Sequence, residues 1–319
     1  MQPISIGKLR GLQQIASPRG TFTALALDHR QNLRRALNPE NPSSVPDAEL
    51  TRFKLDVTSA LASEATAVLL DPEYSAAQAV AAGLIPNETG LVVALESTGY
   101  TGGATARHAQ FLPGWSVEKA KRMGAAAVKL LVYYHPDSPT AKEIETFVKQ
   151  VADDCRKLDL VLMLEPLSYS LAEDRILASD EKRQVVGETA RRLTPLGADV
   201  LKAEFPLDLA DPDPTGWETA CAEISSASTL PWILLSAAVD YQTYLRQVTA
   251  ACNAGASGIA VGRAVWQEAL SMSGAERVDF LHTVARERLA RLSSLCRALA
   301  KPLTGFYSAE VTADWYKTY

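Results

Sequence analysis

Eight short runs of apolar, often β-branched residues recur along this chain, and amphipathic segments separate most of them. We predict β-strands in these runs, which cover residues 21–28, 65–71, 90–96, 126–134, 160–169, 199–206, 232–239 and 257–263. Helical patterns fall between them, at residues 47–63, 116–123, 141–158, 181–196 and 241–254. An alternation of strands and helices that ends at the eighth strand is the order of a (β/α)8 TIM barrel, an α/β fold.

The alternative α/β arrangement is a doubly wound open sheet. Its dinucleotide-binding form carries a GxGxxG motif after the first strand, and no such motif follows residues 21–28. No linker rich in Gly, Ser or Pro divides the chain, and we interpret residues 208–215 as a loop after the sixth strand. We therefore expect a single domain over residues 1–319, with the barrel strands at about 21–266 and a helical C-terminal segment at 267–319.

The chain is mildly acidic, with a net charge of −5. This charge gives no positive field for nucleic acid or an anionic membrane, so we expect a small-molecule partner and neither of those two. The cysteines show no CxxC spacing and are predicted to be reduced core thiols: Cys155, Cys221, Cys252 and Cys296. Residues 1–17 hold no apolar leader, and no apolar stretch is long enough to span a membrane, so the expected location is cytoplasmic.

One charged residue stands inside a predicted buried strand. Lys202 lies in the run Asp199-Val200-Leu201-Lys202-Ala203-Glu204-Phe205, which is otherwise typical of a strand covered on both faces. A buried ammonium group is costly unless it is paired or used. One interpretation is an ion pair with Glu204 or another carboxylate, and the other is a nucleophilic amine.

Side chains alternate along each strand between the barrel interior and the surrounding helices. If Lys202 points inward, its apolar neighbours Leu201 and Ala203 point outward. The same parity points the other charged strand residues inward: Asp28, Lys129 and Glu165. All of the charged candidates therefore fall on the interior side.

Polar residues also cluster at the C-terminal ends of the predicted strands, where the active sites of barrels lie. They are Asp28, Glu96, Lys129, Glu165, Lys202, Ser236 and Arg263. Each has a structural explanation when it is taken alone, because buried carboxylates are usually paired and a strand-end Asp or Ser often caps a helix. Their convergence on one face predicts a functional site there.

The two strand lysines indicate covalent chemistry. Lys129 and Lys202 come from the fourth and sixth strands, and alternate strands contribute to one interior layer, so the two amines are expected to lie close together. Like charges in a poorly solvated site lower the pKa of a lysine, which favours one neutral amine that attacks a ketone while the other binds the substrate. We assign the nucleophile to Lys202 and the proton transfers to Glu165.

Two short motifs after the seventh and eighth strands are typical of a phosphate site. They comprise Ser236 and Ala237 after the seventh strand, and Gly262 and Arg263 after the eighth. Backbone N–H groups, a glycine that allows close approach and an arginine charge are the usual elements of such a site in barrels. The histidines His29, His108, His135 and His282 show no HxH or HExxH spacing, so we expect neither a metal nor another cofactor.

Five motifs, in this order, resemble the class I tagatose-1,6-bisphosphate aldolase family, which also includes sulfofructosephosphate aldolases. They are Ala26-Leu27-Asp28-His29-Arg30, Leu95-Glu96-Ser97-Thr98-Gly99-Tyr100, Ala127-Val128-Lys129-Leu130-Leu131-Val132-Tyr133-Tyr134, Asp199-Val200-Leu201-Lys202-Ala203-Glu204 and Gly262-Arg263-Ala264-Val265-Trp266. The resemblance spans about residues 22–266, which makes it more specific than any single motif.

The resemblance implies a role for each matching position. Lys202 forms the Schiff base, Glu165 is the acid and base, and Lys129 assists, while the early aspartate of the family corresponds to Asp28. The phosphate loops correspond to Ser236-Ala237 and Gly262-Arg263, and a homodimer is implied. We assign His29 and Arg30, with Glu96, to the substrate as well, and place the first loop at the far end of the sugar.

The chain departs from the family at three positions, with His29 where Gln is usual, Ser97 where Lys is frequent and Ala238 where Gly is usual. These positions concern the anionic groups of the substrate. The expected reaction is cleavage of tagatose or fructose 1,6-bisphosphate to dihydroxyacetone phosphate and glyceraldehyde 3-phosphate. A sulfonate carries one charge less than a phosphate, so 6-deoxy-6-sulfofructose 1-phosphate is the alternative substrate, and sulfolactaldehyde would then be the aldehyde product. A regulatory barrel that senses sugar phosphates with little turnover is the alternative of another class.

Overall fold

The computed structural model describes residues 1–208, 214–317 and 319. Eight parallel strands form a closed barrel in which each strand pairs with its sequence neighbours and the eighth pairs with the first. The strands are β1 (Phe22–Ala26), β2 (Ala67–Leu70), β3 (Gly90–Ala94), β4 (Ala127–Tyr133), β5 (Val161–Leu167), β6 (Val200–Ala203), β7 (Trp232–Leu235) and β8 (Gly258–Val261). The barrel prediction is confirmed, the open sheet is excluded, and every strand lies within its predicted run.

Helices cover the outside of the barrel and its two ends. They are α1 (Ile6–Ile15), α2 (Gln31–Leu37), α3 (Asp47–Leu61), α4 (Ala76–Ala81), α5 (Val117–Arg122), α6 (Ala141–Lys157), α7 (Ser179–Leu193), α8 (Trp217–Ala227), α9 (Tyr241–Asn253), α10 (Arg263–Trp266), α11 (Gly274–Phe280) and α12 (Arg286–Leu299). The five predicted helices are found with ends shifted by a few residues. In the predicted loop at 208–215, residues 209–213 lie outside the described residues, and Pro214–Gly216 form a 3-10 turn.

The helix α6 illustrates why these segments are helical. Ile144, Val148, Val151 and Cys155 recur at helical spacing and are buried, so they form one apolar stripe against the barrel. Burial of such a stripe stabilises the helix more than its intrinsic propensity does. All four cysteines of the chain are buried and free, as predicted.

The N-terminal ends of the strands are sealed by the two ends of the chain. Lys8 of α1 forms a buried ion pair with Asp199, with 2.7 Å between Nζ and Oδ2, and Tyr307 donates a hydrogen bond to the Asp199 carbonyl. The two-residue strands Gln2–Pro3 and Tyr307–Ser308 pair in parallel. The C-terminal segment is therefore only partly helical, because this short strand is fixed by pairing with the other end of the chain rather than by a local pattern.

A short antiparallel ribbon, Thr101–Gly103 with Ala106–His108, lies between β3 and α5. It is tied to α6 by a contact of 2.7 Å between His108 Nδ1 and Glu143 Oε1. In the part of the chain that the structure describes, no helix has both the length and the apolar character needed to cross a membrane.

Candidate active site

A cavity of about 320 Å3 opens at the C-terminal ends of the barrel strands. Its wall contains every candidate site residue from the sequence: Asp28, His29, Arg30, Glu96, Lys129, Glu165, Lys202, Ser236, Ala237, Gly262 and Arg263. Residues two apart on one strand line it together, such as Lys129 with Leu131, and Lys202 with Glu204. This spacing agrees with the predicted strand parity.

Lys129 lies at the centre of a cluster of carboxylates. Its Nζ is 2.7 Å from Asp28 Oδ2, 2.7 Å from Glu96 Oε1 and 2.9 Å from Glu165 Oε2. Burial alone would lower the pKa of this amine, but the neighbouring carboxylates outweigh burial and raise the pKa well above its ordinary value. Lys129 is therefore a permanent cation.

The carboxylate of Glu165 contacts both lysines. Its Oε1 is 2.8 Å from Lys202 Nζ, while its Oε2 faces Lys129. Burial would raise the pKa of Glu165, but the charges of Lys129 and Lys202 outweigh it and hold the pKa below its ordinary value. The same balance holds the pKa of Asp28 well below its ordinary value. Both groups are therefore ionised at neutral pH.

The ion-pair partner of Lys202 is Glu165 rather than Glu204. Lys202 is 4% exposed and lies in the wall of the cavity. The Glu204 carboxylate instead accepts a hydrogen bond of 2.6 Å from the Ser168 backbone N–H, and burial raises its pKa. The two interpretations of Lys202, an ion-paired residue and a nucleophile, are therefore compatible. Its ion-pair partner, Glu165, is also the group expected to transfer protons.

The segments after β7 and β8 adopt unusual backbone conformations. Ala237 and Ala238 have φ angles of 43° and 62°, in the left-handed region that residues with a side chain rarely adopt. Consecutive residues of this kind can turn their N–H groups toward an anion, and such strain is common at functional sites. Ser236 Oγ accepts a hydrogen bond of 3.3 Å from the Gly262 N–H, which joins the two segments.

Gly262 and Arg263 provide space and charge beside this turn. A Cβ at Gly262 would lie 2.9 Å from the Ala26 carbonyl oxygen and 3.2 Å from His29 Cε1, so the position leaves no room for a side chain. Within the described residues, no group accepts a hydrogen bond from the Arg263 side chain. Burial lowers the pKa of its guanidinium below its ordinary value, against the opposing effect of Asp28. Arg263 therefore presents a charge to the cavity.

The first loop lies beside this phosphate-type site. His29 is close to Gly262 and packs edge-on against Trp266 at 5.7 Å between ring centroids. Closure of the barrel brings the end of β1 next to β8. The assignment of this loop to the far end of the sugar stays a prediction. Burial, with the charge of Arg263, lowers the pKa of His29 to about 4, so the ring is neutral at neutral pH.

Arg30 also lines the cavity, but its terminal nitrogens are engaged. Nη1 is 2.6 Å from Glu73 Oε2, and Nη2 donates a hydrogen bond of 2.5 Å to the Glu96 carbonyl. Burial would lower the pKa of Arg30, but Glu73 and Glu96 outweigh it and raise the pKa above its ordinary value. Its charge is thus balanced within the protein.

Arg107 is not among the candidate site residues that the sequence indicates. Its guanidinium lies over the rings of Tyr100, Tyr133 and Tyr169, at 4.3, 5.1 and 4.4 Å from their centroids. The three rings come from the ends of three different strands, so no residue spacing in the sequence predicts that they meet. In the described part of the chain, no group of three or more His, Cys, Asp or Glu residues is arranged as a metal site.

Solved structures of aldolases have the same fold. An archaeal fructose 1,6-bisphosphate aldolase matches with a TM-score of 0.61 and 22% identity, over 91% of this chain and 99% of that chain. The fructose-bisphosphate aldolase of Slackia heliotrinireducens matches with a TM-score of 0.63 and 15% identity, over 96% of this chain and 92% of that one. At this level of identity the likeness establishes the fold alone.

Sequence comparison is more specific. Tagatose 1,6-diphosphate aldolase 1 of Enterococcus faecalis is 31% identical, over 94% of this chain and 98% of its own length. Tagatose 1,6-diphosphate aldolase of Listeria monocytogenes is 30% identical, over 95% of each chain. The sequence pattern of the DeoC/LacD family aldolases matches residues 22–268. The chain therefore belongs to the DeoC/LacD family and is an aldolase, a lyase, as the five motifs predict.

Proposed function

We propose that this aldolase is a metal-independent, Schiff-base enzyme that cleaves a ketohexose 1,6-bisphosphate, either tagatose or fructose 1,6-bisphosphate. The products are dihydroxyacetone phosphate and glyceraldehyde 3-phosphate. The observation that carries the proposal is the pair of buried lysines joined by one ionised glutamate at the mouth of the barrel. The names of the relatives, tagatose 1,6-diphosphate aldolases, support the choice of substrate.

The reaction begins at Lys202. Its amine attacks the C2 ketone, a C–N bond forms, and the ammonium proton passes to Glu165, whose Oε1 is 2.8 Å from Nζ. Glu165 then returns a proton to the departing hydroxyl of the carbinolamine, and water leaves. The product of these steps is a protonated imine between Lys202 and C2.

Cleavage follows from the positive charge of the imine. Glu165 accepts the proton of the C4 hydroxyl, the C3–C4 bond breaks, and its electron pair moves toward the imine to give an enamine and the free aldehyde. Protonation of C3 and hydrolysis of the imine release dihydroxyacetone phosphate and regenerate the Lys202 amine. Lys129 stays charged throughout, and we assign it, with Asp28, to the substrate hydroxyls.

The test of this function is a cleavage assay with tagatose 1,6-bisphosphate, fructose 1,6-bisphosphate and 6-deoxy-6-sulfofructose 1-phosphate, each with and without EDTA. We expect turnover of a bisphosphate that EDTA leaves undiminished, because the amine replaces the metal as electron sink. Activity that is lost on chelation and restored by zinc would contradict the Schiff-base mechanism. Turnover of the sulfosugar alone selects the alternative substrate, and binding of all three without turnover selects the regulatory barrel.

Arg263→Ala tests the proposed 1-phosphate site. We expect KM for a substrate with a 1-phosphate to rise roughly 10- to 100-fold, because a charge-assisted hydrogen bond contributes about 1.5–3 kcal/mol. Steady-state kinetics measure the change. Arg286→Ala is the matched control, since Arg286 pairs with Glu64 on the outer surface, and its KM should be unchanged. An unaltered KM in Arg263→Ala would place the phosphate elsewhere.

A further inference from the structure

The proposed substrate carries two anionic groups, and the phosphate-type site after β7 and β8 is assigned to one of them, the 1-phosphate. The other cavity residues with a basic side chain offer little free charge for the second. Arg30 is balanced by Glu73, Lys129 is surrounded by three carboxylates, and His29 is neutral at neutral pH. A second tetrahedral oxyanion therefore needs a cation from outside this set.

Arg107 is such a cation. The faces of three tyrosine rings hold its guanidinium in place, and contacts of this kind leave the in-plane N–H groups available. Only Nε has a hydrogen bond among the described residues, to the Ala104 carbonyl at 2.9 Å. Arg107 is thus preorganised by its ring contacts while its terminal N–H donors remain free, which is the arrangement that bidentate binding of an oxyanion requires.

The position of Arg107 is opposite the phosphate-type site. Tyr100 follows β3 and Tyr133 ends β4, and these two strands lie across the closed barrel from β7 and β8, while Tyr169 follows the adjacent strand β5. Tyr133 is at once part of the ring cluster and part of the catalytic cavity wall. A sugar chain that extends from Arg263 past Lys202 therefore points toward Arg107.

There is also space for the anion. A second cleft of about 320 Å3 adjoins the catalytic cavity, and Glu204 lines both. The wall of this cleft includes Arg107, Ser168, Tyr169, Ser170 and Lys182. Hydroxyl groups and a second cation thus share the cleft with the guanidinium, beside the carboxylates of Glu204 and Asp208, and these donors suit a phosphate or a sulfonate.

The ribbon that carries Arg107 is anchored rather than free. His108 contacts Glu143 of α6, and Ser138 Oγ donates to the Thr105 carbonyl at 3.4 Å and accepts from the Tyr169 hydroxyl at 2.6 Å. These contacts fix both Arg107 and one of its rings relative to the barrel. A guanidinium held at a fixed position selects substrates by the distance between their two anionic groups as well as by their charge.

We propose that Arg107 binds the second anionic group of the substrate, at the end of the sugar chain remote from C1, and sets the preference for doubly anionic substrates. This inference rests on the proposed function, because it takes the reacting ketose as its ligand. The shared chemistry is a tetrahedral oxyanion on C6, whether phosphate or sulfonate.

The test compares Arg107→Met with the wild type on fructose 1,6-bisphosphate, fructose 1-phosphate and 6-deoxy-6-sulfofructose 1-phosphate, with the tagatose pair run in parallel. We expect KM for the bisphosphate to rise roughly 10- to 100-fold with little change in kcat, while KM for the 1-phosphate stays within about twofold. A larger loss for the sulfosugar than for the bisphosphate identifies a sulfonate as the group that Arg107 takes. Arg107→Lys keeps the charge and should restore part of the lost affinity. Arg286→Met is the matched control, because Arg286 lies outside this cleft, is exposed and pairs with Glu64.

An equal loss for the bisphosphate and the 1-phosphate would overturn the inference, because it indicates that Arg107 only supports the tyrosine cluster. An unchanged KM for both would overturn it too and would return the second anion to the first loop. If the wild type cleaves none of these sugars and forms no adduct with dihydroxyacetone phosphate, the proposed function itself fails. These results can be told apart because adduct formation does not require an anion on C6.

Discussion

Lys202→Met is expected to abolish both cleavage and covalent trapping. Borohydride added to the wild type with dihydroxyacetone phosphate should reduce the imine and leave a stable adduct on Lys202, which mass spectrometry of a proteolytic digest locates. Methionine occupies a similar volume without an amine, so no C–N bond can form. Glu165 keeps its contact with Lys129 in this variant, so we expect the fold to survive, with a thermal unfolding transition that remains cooperative.

Lys142→Met is the control for this experiment. Lys142 is exposed on α6 and pairs with Glu145, so both trapping and turnover should equal those of the wild type. An adduct found on Lys129, or on no lysine, would overturn the assignment of the nucleophile. Lys129 is an unfavourable nucleophile because three carboxylates stabilise its protonated form.

Glu165→Gln is expected to lower kcat by roughly 10²–10⁴-fold while borohydride trapping persists in part. The amide keeps the shape of the carboxylate, and its one oxygen can still accept a hydrogen bond from one of the two lysines, but its NH2 group only donates and the side chain cannot take a proton. The amine of Lys202 remains, so imine formation is slowed rather than removed. Single-turnover cleavage and the yield of the trapped adduct, measured on the same preparation, separate the two steps.

The pH dependence of the wild type checks the same group. Glu165 acts as a base only when it is ionised, and its pKa lies below the ordinary 4.5. The loss of kcat that reflects protonation of Glu165 should therefore appear only below that pH. Glu223→Gln, at an exposed position on α8 where Glu223 pairs with Arg183, should leave the profile unchanged. A Glu165→Gln variant with kcat within tenfold of wild type would assign the proton steps to another group, and Glu204 is one such carboxylate in the cavity wall.

The sequence alone predicts the barrel and the charged residues of the site that lie on its strands, and the reason is physical. Strands covered on both faces are nearly continuous apolar runs, so the eight runs are visible, and a charged residue within one is conspicuous. Lys129, Glu165 and Lys202 are such residues, and their positions near the strand ends with inward parity bring them into one cavity. The pairing of Lys202 with Glu165 rather than Glu204 depends on distances across strands, which the sequence leaves open.

Features of the site that depend on closure or on backbone conformation escape the same reasoning. The residue type of Ala237 and Ala238 does not predict their left-handed backbone conformation, because glycine is the residue that normally indicates it. The contact of His29 with Gly262 exists because the barrel joins its first strand to its last. The rings around Arg107 come from the segments at the ends of three neighbouring strands, β3, β4 and β5, and their meeting depends on the backbone conformation of those segments.

The contacts that close the N-terminal end of the barrel also affect the order in which the chain folds. Gln2–Pro3 and α1 precede the first barrel strand, whereas their partners around Tyr307 follow the last barrel strand. Contacts between such distant parts of a chain form late, because a long loop must close before they contribute any stability. The residues that line the catalytic cavity, from Ala26 to Arg263, all lie between these two segments. We infer that this pairing forms late in folding, after the local contacts of the strands that carry the catalytic residues.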